Sequence, residues 1–179
     1  YGTLGSYLYE RGWALHNLAS LPHISVGGSC ATATHGSGVG NGNLATAIRG
    51  FELLTVDGAT QWVDPETQPD LFHAGCVSLG ALGFITKIKL AIQPSFEVEQ
   101  HVYENLPMEA LKDNFDAIMS AGYSVSFFTH WLDKTINQVW IKSKVGTTDA
   151  LGADFYGATP ATDDLHPIKV NSPVNCTPQ

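Results

Sequence analysis

The sequence has few cations, few cysteines and no long apolar run, and each shortage argues against a class of protein. Nine Lys and Arg stand against 17 Asp and Glu, for a net charge of −8. This balance argues against a nucleic-acid partner, because a phosphate backbone would be repelled. No stretch reaches the roughly 18 consecutive apolar residues of a membrane span, and no basic segment leads into an apolar one at the start. We therefore expect no membrane partner and a cytoplasmic location.

The cysteines and histidines do not form a metal motif. The three cysteines, Cys30, Cys76 and Cys176, are widely spaced, and they make neither a CxxC pair nor the Cys–His spacing of a zinc site. The histidines have no metal-like pairing either. We expect reduced thiols and no metal.

Both ends of the chain predict a piece of a larger protein. The first residue is Tyr1, in a helical pattern with no cap residue before it, and the last residues, VNCTPQ, contain no capped element. The function is therefore inferred for a parent protein, and the piece alone is expected to be inactive.

Residues 20–42 are a long run of Gly, Ser, Thr and Ala, with no charge beyond what His23 and His35 carry. We call this run the small-residue segment. Glycines adopt positive φ and carry no side chain, so backbone N–H groups there are able to approach an anion closely. The pattern predicts a loop that holds the phosphates of a cofactor.

Periodicity predicts the first elements of the chain. Apolar spacing favours a helix over residues 1–11, ended by Gly12, and a short helix over 44–49. The strands FELLTV and ATQWV flank Asp57-Gly58, a pair that favours a type I′ hairpin turn.

A helix is expected from Asp70 to Gly75, followed by an alternating strand, FITKIKLAI. Alternation places two sets of side chains on opposite faces, namely Phe84, Thr86, Ile88, Leu90 and Ile92 against Lys87 and Lys89.

Pro94 marks the predicted boundary between two domains, residues 1–95 and 96–179. The second region is predicted to be β-α-β-β, with strands EVEQHVY, YSVSFFTHW and INQVWIK. Its helix lies within 107–120, is ended by Gly122 and has the apolar positions Met108, Leu111, Phe115 and Ile118. From Gly146 onward the composition predicts an extended loop without a core of its own.

The order of several motifs resembles a known family. Gly27-Gly28, the run from Thr32 to Gly36 and the segment SLGALGFITKI are similar to FAD-linked oxidases of the vanillyl-alcohol oxidase family, and within it to the alditol (xylitol) oxidase branch. The resemblance covers nearly the whole chain. It implies an α+β fold: the second subdomain of an FAD-binding domain (1–95), followed by the start of an α+β substrate (cap) domain (96–179).

The resemblance also implies the cofactor, FAD. Any covalent attachment would use a His in a Gly-His-Ser segment upstream of this chain, since no such triplet occurs here. No cysteinyl link is expected, because the branch that has one places its cysteine near Leu21. The implied partners are a small-molecule polyol and oxygen, and the implied state is a monomer.

Site residues follow from the same resemblance. Ser20 is implied to contact both the flavin and the polyol, and Ala19 to lie where side-chain size governs oxygen access. The segment around the pyrophosphate and ribityl chain comprises Ser25, Gly28, Thr32, Ala33, Thr34 and His35. Gly83, Phe84 and Ile85 resemble the strand start that pairs with adenine, although Phe84 replaces a smaller aliphatic residue.

The implied reaction is hydride transfer from the terminal alcohol carbon of an alditol to the flavin, with oxygen then reduced to hydrogen peroxide. The catalytic base would lie beyond residue 179. Open alternatives are a non-catalytic FAD-fold binding module, an inactive truncation product, and a sugar-lactone oxidase or dehydrogenase of the same family.

Two other enzyme classes fit the residues poorly. A serine hydrolase needs Gly-x-Ser-x-Gly, and Gly122 to Ser126 lacks the last glycine. A Rossmann site needs G-x-G-x-x-G after a strand, whereas the glycines from Gly36 to Gly42 are spaced by two.

Overall fold

The computed structural model describes residues 1–147 and 151–166, and the chain forms two compact units. The first unit contains Tyr1–Gly36 and Asn41–Ser95, and the second contains Ser37–Gly40 and the chain from Phe96 onward. The assignment of domains 1–95 and 96–179 to flavin and substrate binding stays a prediction. Cys176 lies outside the described residues.

The first unit combines short helices with small antiparallel sheets. Its helices are α1 (Gly2–Tyr9), α2 (Val26–Ala31), a 3-10 turn (Leu44–Ala47) and α3 (Pro69–Cys76), and its strands are β1 (Trp13–Ala14), β2 (Ile48–Leu54), β3 (Thr60–Val63), β4 (Phe84–Leu90) and β5 (Gln93–Pro94). The sheets are ordered β3-β2-β4 and β1-β5. This mixture, with the second unit below, agrees with the predicted α+β class.

The predicted helices of this unit are present. Gly12 follows α1 with φ +74°, the left-handed conformation that glycine accepts at a helix end. The helix expected from Asp70 is α3, which has Pro69 in its first turn. The helix expected over 44–49 is only a 3-10 turn, because β2 begins at Ile48.

The β2–β3 hairpin is confirmed, but the predicted turn type is wrong. Gly58 N donates to Thr55 O, and Thr55 N donates to Ala59 O. Gly58 has φ +82°, whereas Asp57 is not among the residues with positive φ. A type I′ turn needs positive φ at both central residues. The connection is therefore a longer loop in which one left-handed glycine restores the strand pairing.

Strand β4 is confirmed, but its predicted alternation fails at one point. The pairing with β2 shifts between Glu52 and Leu53, so that Leu53 faces Ile85 while Glu52 faces Lys87. This bulge leaves Thr86 as an extra residue of β4 without a partner in β2. The residues before it, Phe84 and Ile85, therefore point to the faces of the sheet opposite to those that strict alternation predicts. As a result Ile85 packs against the core and Phe84 is 77% exposed, which corrects the expected placement of Phe84 and Thr86 with Ile88.

Two apolar clusters form the core of the first unit. One is centred on Phe51 and also contains Cys30, Ala45, Ile48, Leu53, Val63 and Phe72. The rings of Phe51 and Phe72 stack with centroids 6.0 Å apart. The other cluster contains Tyr1, Leu8, Leu15 and Leu44.

The second unit has the predicted β-α-β-β order. Strand β6 (Val98–Pro107) is followed by α4 (Met108–Asp113), α5 (Phe115–Met119), β7 (Ser124–Phe128), β8 (Thr135–Lys144) and β9 (Thr159–Pro160). The antiparallel sheet is ordered β7-β8-β6-β9.

The predicted helix is divided at Asn114. The Asn114 side chain donates to Ala110 O at 2.9 Å, and its backbone is not helical, as is common when an Asn side chain competes for a helix carbonyl. Met108, Leu111 and Ile118 face the core as predicted. Phe115 does not, since it is 52% exposed.

One apolar cluster lies under this sheet. Its members include Leu106, Ile118, Val125, Val139 and Ile141, each nearly inaccessible to solvent. The segment after Gly146, predicted as a loop without its own core, adds Phe155 and Ala158 to the same cluster. Periodicity missed both because they are isolated apolar residues among turn formers.

Within the described residues, no helix is long and apolar enough to cross a membrane. No group of three or more His, Cys, Asp or Glu side chains in those same ranges is arranged to hold a metal ion.

Candidate functional site

The small-residue segment is not a loop throughout, because α2 lies inside it. Ser25 begins this helix: its Oγ accepts a hydrogen bond of 3.0 Å from Gly28 N, the usual way in which a serine satisfies a helix N-terminus. Two predicted phosphate-binding residues, Ser25 and Gly28, are thus in contact with each other. The expectation of an uninterrupted loop was wrong.

The residues that follow α2 are held by hydrogen bonds to the helix. Thr32 Oγ1 donates to Gly28 O at 3.0 Å and lies 3.3 Å from Thr34 Oγ1. Thr34 N donates to Ser29 O, and Thr34 O accepts from Leu44 N, both at 2.9 Å. The predicted residues from Ser25 to Thr34 are therefore gathered into one hydrogen-bonded turn.

The chain reverses at Ala33, which has φ +52°. A left-handed alanine costs about 1–2 kcal/mol relative to ordinary backbone. Its N–H donates to Cys30 O, and this bond helps to offset the strain. His35 follows on the surface, with Nδ1 3.3 Å from Gly36 O.

The donor set suits an anionic group. The side chains of Ser25 and Thr32 are exposed and that of Thr34 is half-buried, so their hydroxyls border solvent. No Asp, Glu, Lys or Arg occurs between Arg11 and Arg49, so no carboxylate of this segment opposes a phosphate. A Cβ built on Gly27 meets nothing within 4 Å, which leaves the backbone there open to approach.

The predicted adenine strand lies beside this turn. Leu79 N donates to Ala31 O at 3.2 Å, which joins the SLGALG segment to the end of α2. Gly83 has φ +133°, and a Cβ on it would collide with Leu54 O, so only glycine fits there. Ile85 packs into the Phe51 cluster, and the exposed Phe84 leaves its ring at the surface.

Ala19 and Ser20 come before the turn. Ala19 is half-buried and packs against the cluster of Tyr1, Leu8, Leu15 and Leu44. Ser20 is exposed. Leu44, a member of that cluster, is also bonded to Thr34. The roles predicted for Ala19, Ser20 and the flavin-binding residues stay predictions.

The thiols of this unit are poor nucleophiles. Cys30 and Cys76 are free, and Cys30 is 1% exposed. Burial raises the pKa of both thiols, and hydrogen bonding between Cys30 and the side chains of Tyr1 and Ser29 partly offsets the rise at Cys30. Burial likewise raises the pKa of Tyr1 to about 12. Because the thiolate is the reactive form, neither cysteine is suited to attack a substrate.

Sequence reasoning missed two features near the candidate site. Leu79 and Gly80 both have positive φ, and a leucine gives no sign of such a turn. Ser37 lies within the small-residue segment, yet its hydroxyl contacts Ser124 and Ser126 of β7. Contacts across nearly 90 residues leave no trace in local periodicity.

No protein-family profile matches the chain, but individual proteins do. Alditol oxidase from Streptomyces sp. (strain IKD472 / FERM P-14339) is 46% identical over 179 residues, which is 100% of this chain and 41% of that protein. D-arabinono-1,4-lactone oxidase from Eremothecium gossypii is 35% identical over 118 residues, covering 66% of this chain and 22% of that protein. L-gulonolactone oxidase from Bos taurus is 32% identical over 110 residues, covering 62% of this chain and 25% of that protein.

These similarities are those expected of a part of an FAD-linked oxidase. The family includes alditol oxidase and the sugar-lactone oxidases named above. The chain spans less than half the length of each of these relatives.

Proposed function

We propose that the protein binds FAD through the first unit and oxidises the terminal primary alcohol of an alditol, with oxygen as the final acceptor. The 46% identity to an alditol oxidase over the full chain carries this proposal. The hydroxyls around α2 that border solvent support it, because uncharged hydroxyl donors are able to bond to phosphate oxygens.

Within this proposal, Ser25, Gly28, Thr32, Ala33, Thr34 and His35 surround the pyrophosphate and ribityl chain. The hydroxyls of Ser25, Thr32 and Thr34 make the polar contacts, since the N–H groups of Gly28 and Ala33 are bonded within the turn. Gly83, Phe84 and Ile85 border the adenine. FAD supplies the acceptor for the hydride when it is bound.

Ser20 orients the alcohol in this proposal. An exposed serine hydroxyl both donates and accepts a hydrogen bond, so it is able to contact a polyol hydroxyl and a flavin atom. It is a weak base without a partner. Ala19 leaves space beside it, and a larger side chain there would hinder oxygen. We further propose a cytoplasmic monomer that has no nucleic-acid or membrane partner.

The reaction is tested with the protein produced from its complete coding sequence. A yellow protein that releases hydrogen peroxide with xylitol or sorbitol supports the proposal. Colour that survives denaturation would indicate covalent flavin. A colourless protein that ignores polyols would contradict the proposal.

Gly27→Ala tests whether the cofactor phosphates lie against the start of α2, where Gly27 precedes the predicted residue Gly28. Because the added Cβ meets nothing within 4 Å, the fold should tolerate it, and alanine favours a helix over glycine by about 1 kcal/mol. We expect stability to hold while flavin binding weakens. Gly5→Ala in α1 is the matched control, since its Cβ also meets nothing. Equal flavin binding by both variants would place the pyrophosphate elsewhere.

A second candidate substrate is a sugar lactone, favoured by the similarity to D-arabinono-1,4-lactone oxidase and L-gulonolactone oxidase. Peroxide release is compared for xylitol, sorbitol, arabinono-1,4-lactone and gulonolactone. A kcat/KM higher for either lactone than for both alditols would replace the alditol assignment and leave the flavin site unchanged.

A further inference from the structure

The 3-10 turn of the first unit, Leu44–Ala47, holds the backbone of Thr34. Leu44 N donates to Thr34 O at 2.9 Å, and the Leu44 side chain is only 2% exposed, within an apolar cluster. Thr34 also donates its own N–H to Ser29 O. The 3-10 turn therefore provides a second backbone anchor for a residue that the proposed function places at the cofactor.

Asn43 caps the start of this 3-10 turn. Its backbone is extended, and its Oδ1 accepts a hydrogen bond of 3.0 Å from Ala45 N. Its carbonyl accepts from the N–H of Thr46 at 3.0 Å and from the Thr46 hydroxyl at 2.7 Å. Ala45 is 5% exposed, and a buried amide that loses its acceptor is costly because water does not replace it. The turn therefore depends on the Asn43 side chain for its shape.

Residues on both sides of the 3-10 turn support the cap. A Cβ on Gly42 would collide with the Thr46 side chain, so the glycine lets that side chain reach Asn43 O. At the other end, Arg49 Nη1 donates to Thr46 O at 2.9 Å and to Ile48 O at 2.8 Å. Arg49 lies at a shift in the pairing of β2 with β4, and such a bulge redirects a side chain. Side chains thus fix the turn at its start and at its end.

We propose that Asn43 is a positioning residue for flavin binding: it fixes the 3-10 turn that holds Thr34, and thereby the hydroxyls of Thr34 and Thr32. This rests on the proposed function. Thr34 Oγ1 lies 3.3 Å from Thr32 Oγ1, so a shift of Thr34 disturbs both hydroxyls. Without the cap, the cofactor must order this stretch when it binds, and the ordering lowers its affinity. Every contact in this account lies within the first unit.

The experiment compares Asn43→Ala, Asn43→Ser and Asp64→Ala. Asn43→Ser keeps an oxygen acceptor at the start of the turn, since Ser and Asn are about equally good caps. Asp64→Ala is the matched control, because Asp64 Oδ1 caps a different turn of the first unit by accepting from Thr67 N at 2.9 Å. FAD is titrated into flavin-free full-length protein, and binding is followed by flavin fluorescence. If the flavin is attached covalently, the extent of incorporation at limiting FAD replaces the titration.

We expect Asn43→Ala to raise the Kd for FAD about fivefold, which corresponds to about 1 kcal/mol. Asn43→Ser should restore most of the affinity. Asp64→Ala should lower the midpoint of thermal unfolding about as much as Asn43→Ala does, but it should leave the Kd unchanged. An unchanged Kd in Asn43→Ala, no rescue by serine, or an equal rise of the Kd in Asp64→Ala would each overturn the proposal.

Amide hydrogen exchange separates failure of this proposal from failure of the proposed function. In flavin-free protein, Asn43→Ala should speed exchange in residues 44–47 and 32–35 and leave β3 unchanged. If both stretches exchange faster but the wild type binds no FAD, the proposed function fails while the coupling between the cap and Thr34 stands. If exchange in 32–35 does not change, the proposal fails even when FAD binds. Should Asn43→Ala not fold, Thr46→Ala, at an exposed position, removes the hydroxyl bond to Asn43 O and is scored by the same criteria.

Discussion

The two units of this chain are stabilised in different ways. The second unit has one apolar cluster beneath a four-stranded sheet. The first divides its apolar residues between two clusters and places a small-residue segment beside them. Hydrogen bonds from Ser25, Thr32 and Thr34, rather than apolar packing, shape that segment. A part of the molecule with little bulk must use polar contacts to adopt one conformation.

The largest expected effect comes from the core of the first unit. Phe51 is fully buried, and Phe51→Ala should lower the free energy of unfolding by about 3–5 kcal/mol. Urea denaturation measures this change, and hydrogen exchange locates it. If the two units have separate cores, amides of β2 should lose more protection than amides of β8. An equal loss in both strands would contradict separate cores. Val56→Ala, at a fully exposed position, should have little effect.

Backbone geometry in the first unit gives the next effect. Gly83→Ala adds backbone strain at φ +133° and a collision between the new Cβ and Leu54 O. We therefore expect the free energy of unfolding to fall by about 2–3 kcal/mol. Gly80→Ala is the control, because φ is +78° there but the added Cβ meets nothing. It should cost about 1 kcal/mol. Thermal denaturation measures both, and equal losses would mean that the contact with Leu54 is unimportant.

A substitution in the second unit should stabilise it. Ser143 is fully buried, and within the described residues its Oγ has no hydrogen-bond partner. A buried hydroxyl without a partner costs about 1–3 kcal/mol. Ser143→Ala should therefore raise the free energy of unfolding by about 1 kcal/mol. A lower midpoint in urea would show that the hydroxyl is satisfied in solution.

The smallest expected effect concerns a surface carboxylate on the first unit's sheet. Hydrogen bonds from Thr86 and Lys87 hold the pKa of Glu52 below its ordinary value, so they stabilise the folded state only while the carboxylate is ionised. This contribution is present above the ordinary pKa of about 4.3 and is lost as pH falls through the lower folded value. The free energy of unfolding, measured by urea denaturation at several pH values, should be slightly higher for wild type than for Glu52→Gln near pH 7. The two values should converge in acid. A constant difference across pH would contradict this account.

The sequence predicted regular elements well where apolar spacing dominates. In the second unit, Met108, Leu111 and Ile118 recur at helical spacing and do face the core. The division of the predicted helix into α4 and α5 at Asn114 was not predicted, because it depends on the Asn114 side chain donating a hydrogen bond to Ala110 O. The burial of Phe155 and Ala158 in the core was not predicted either, since nothing in the local sequence distinguishes them from exposed loop residues.

In the first unit the resemblance predicted which residues to examine, but not their geometry. Nothing in the residue types distinguishes Ser25 as a helix cap from Ser20 on the surface. The bulge at Thr86 and the left-handed Ala33 arise from contacts with other parts of the chain. Local patterns carry no information on such contacts, and the ligand roles of these residues stay predictions.

Under the proposed function, the stretch between Arg11 and Arg49, which contains no Asp, Glu, Lys or Arg, has a kinetic consequence for cofactor binding. A dinucleotide that approaches a chain of net charge −8 meets repulsion at long range, and neutral donors attract it only at contact. Added salt shortens the range of that repulsion to about 10 Å at 0.1 M. Capture of the anion should therefore become faster as ionic strength rises, the reverse of a site built from lysines and arginines.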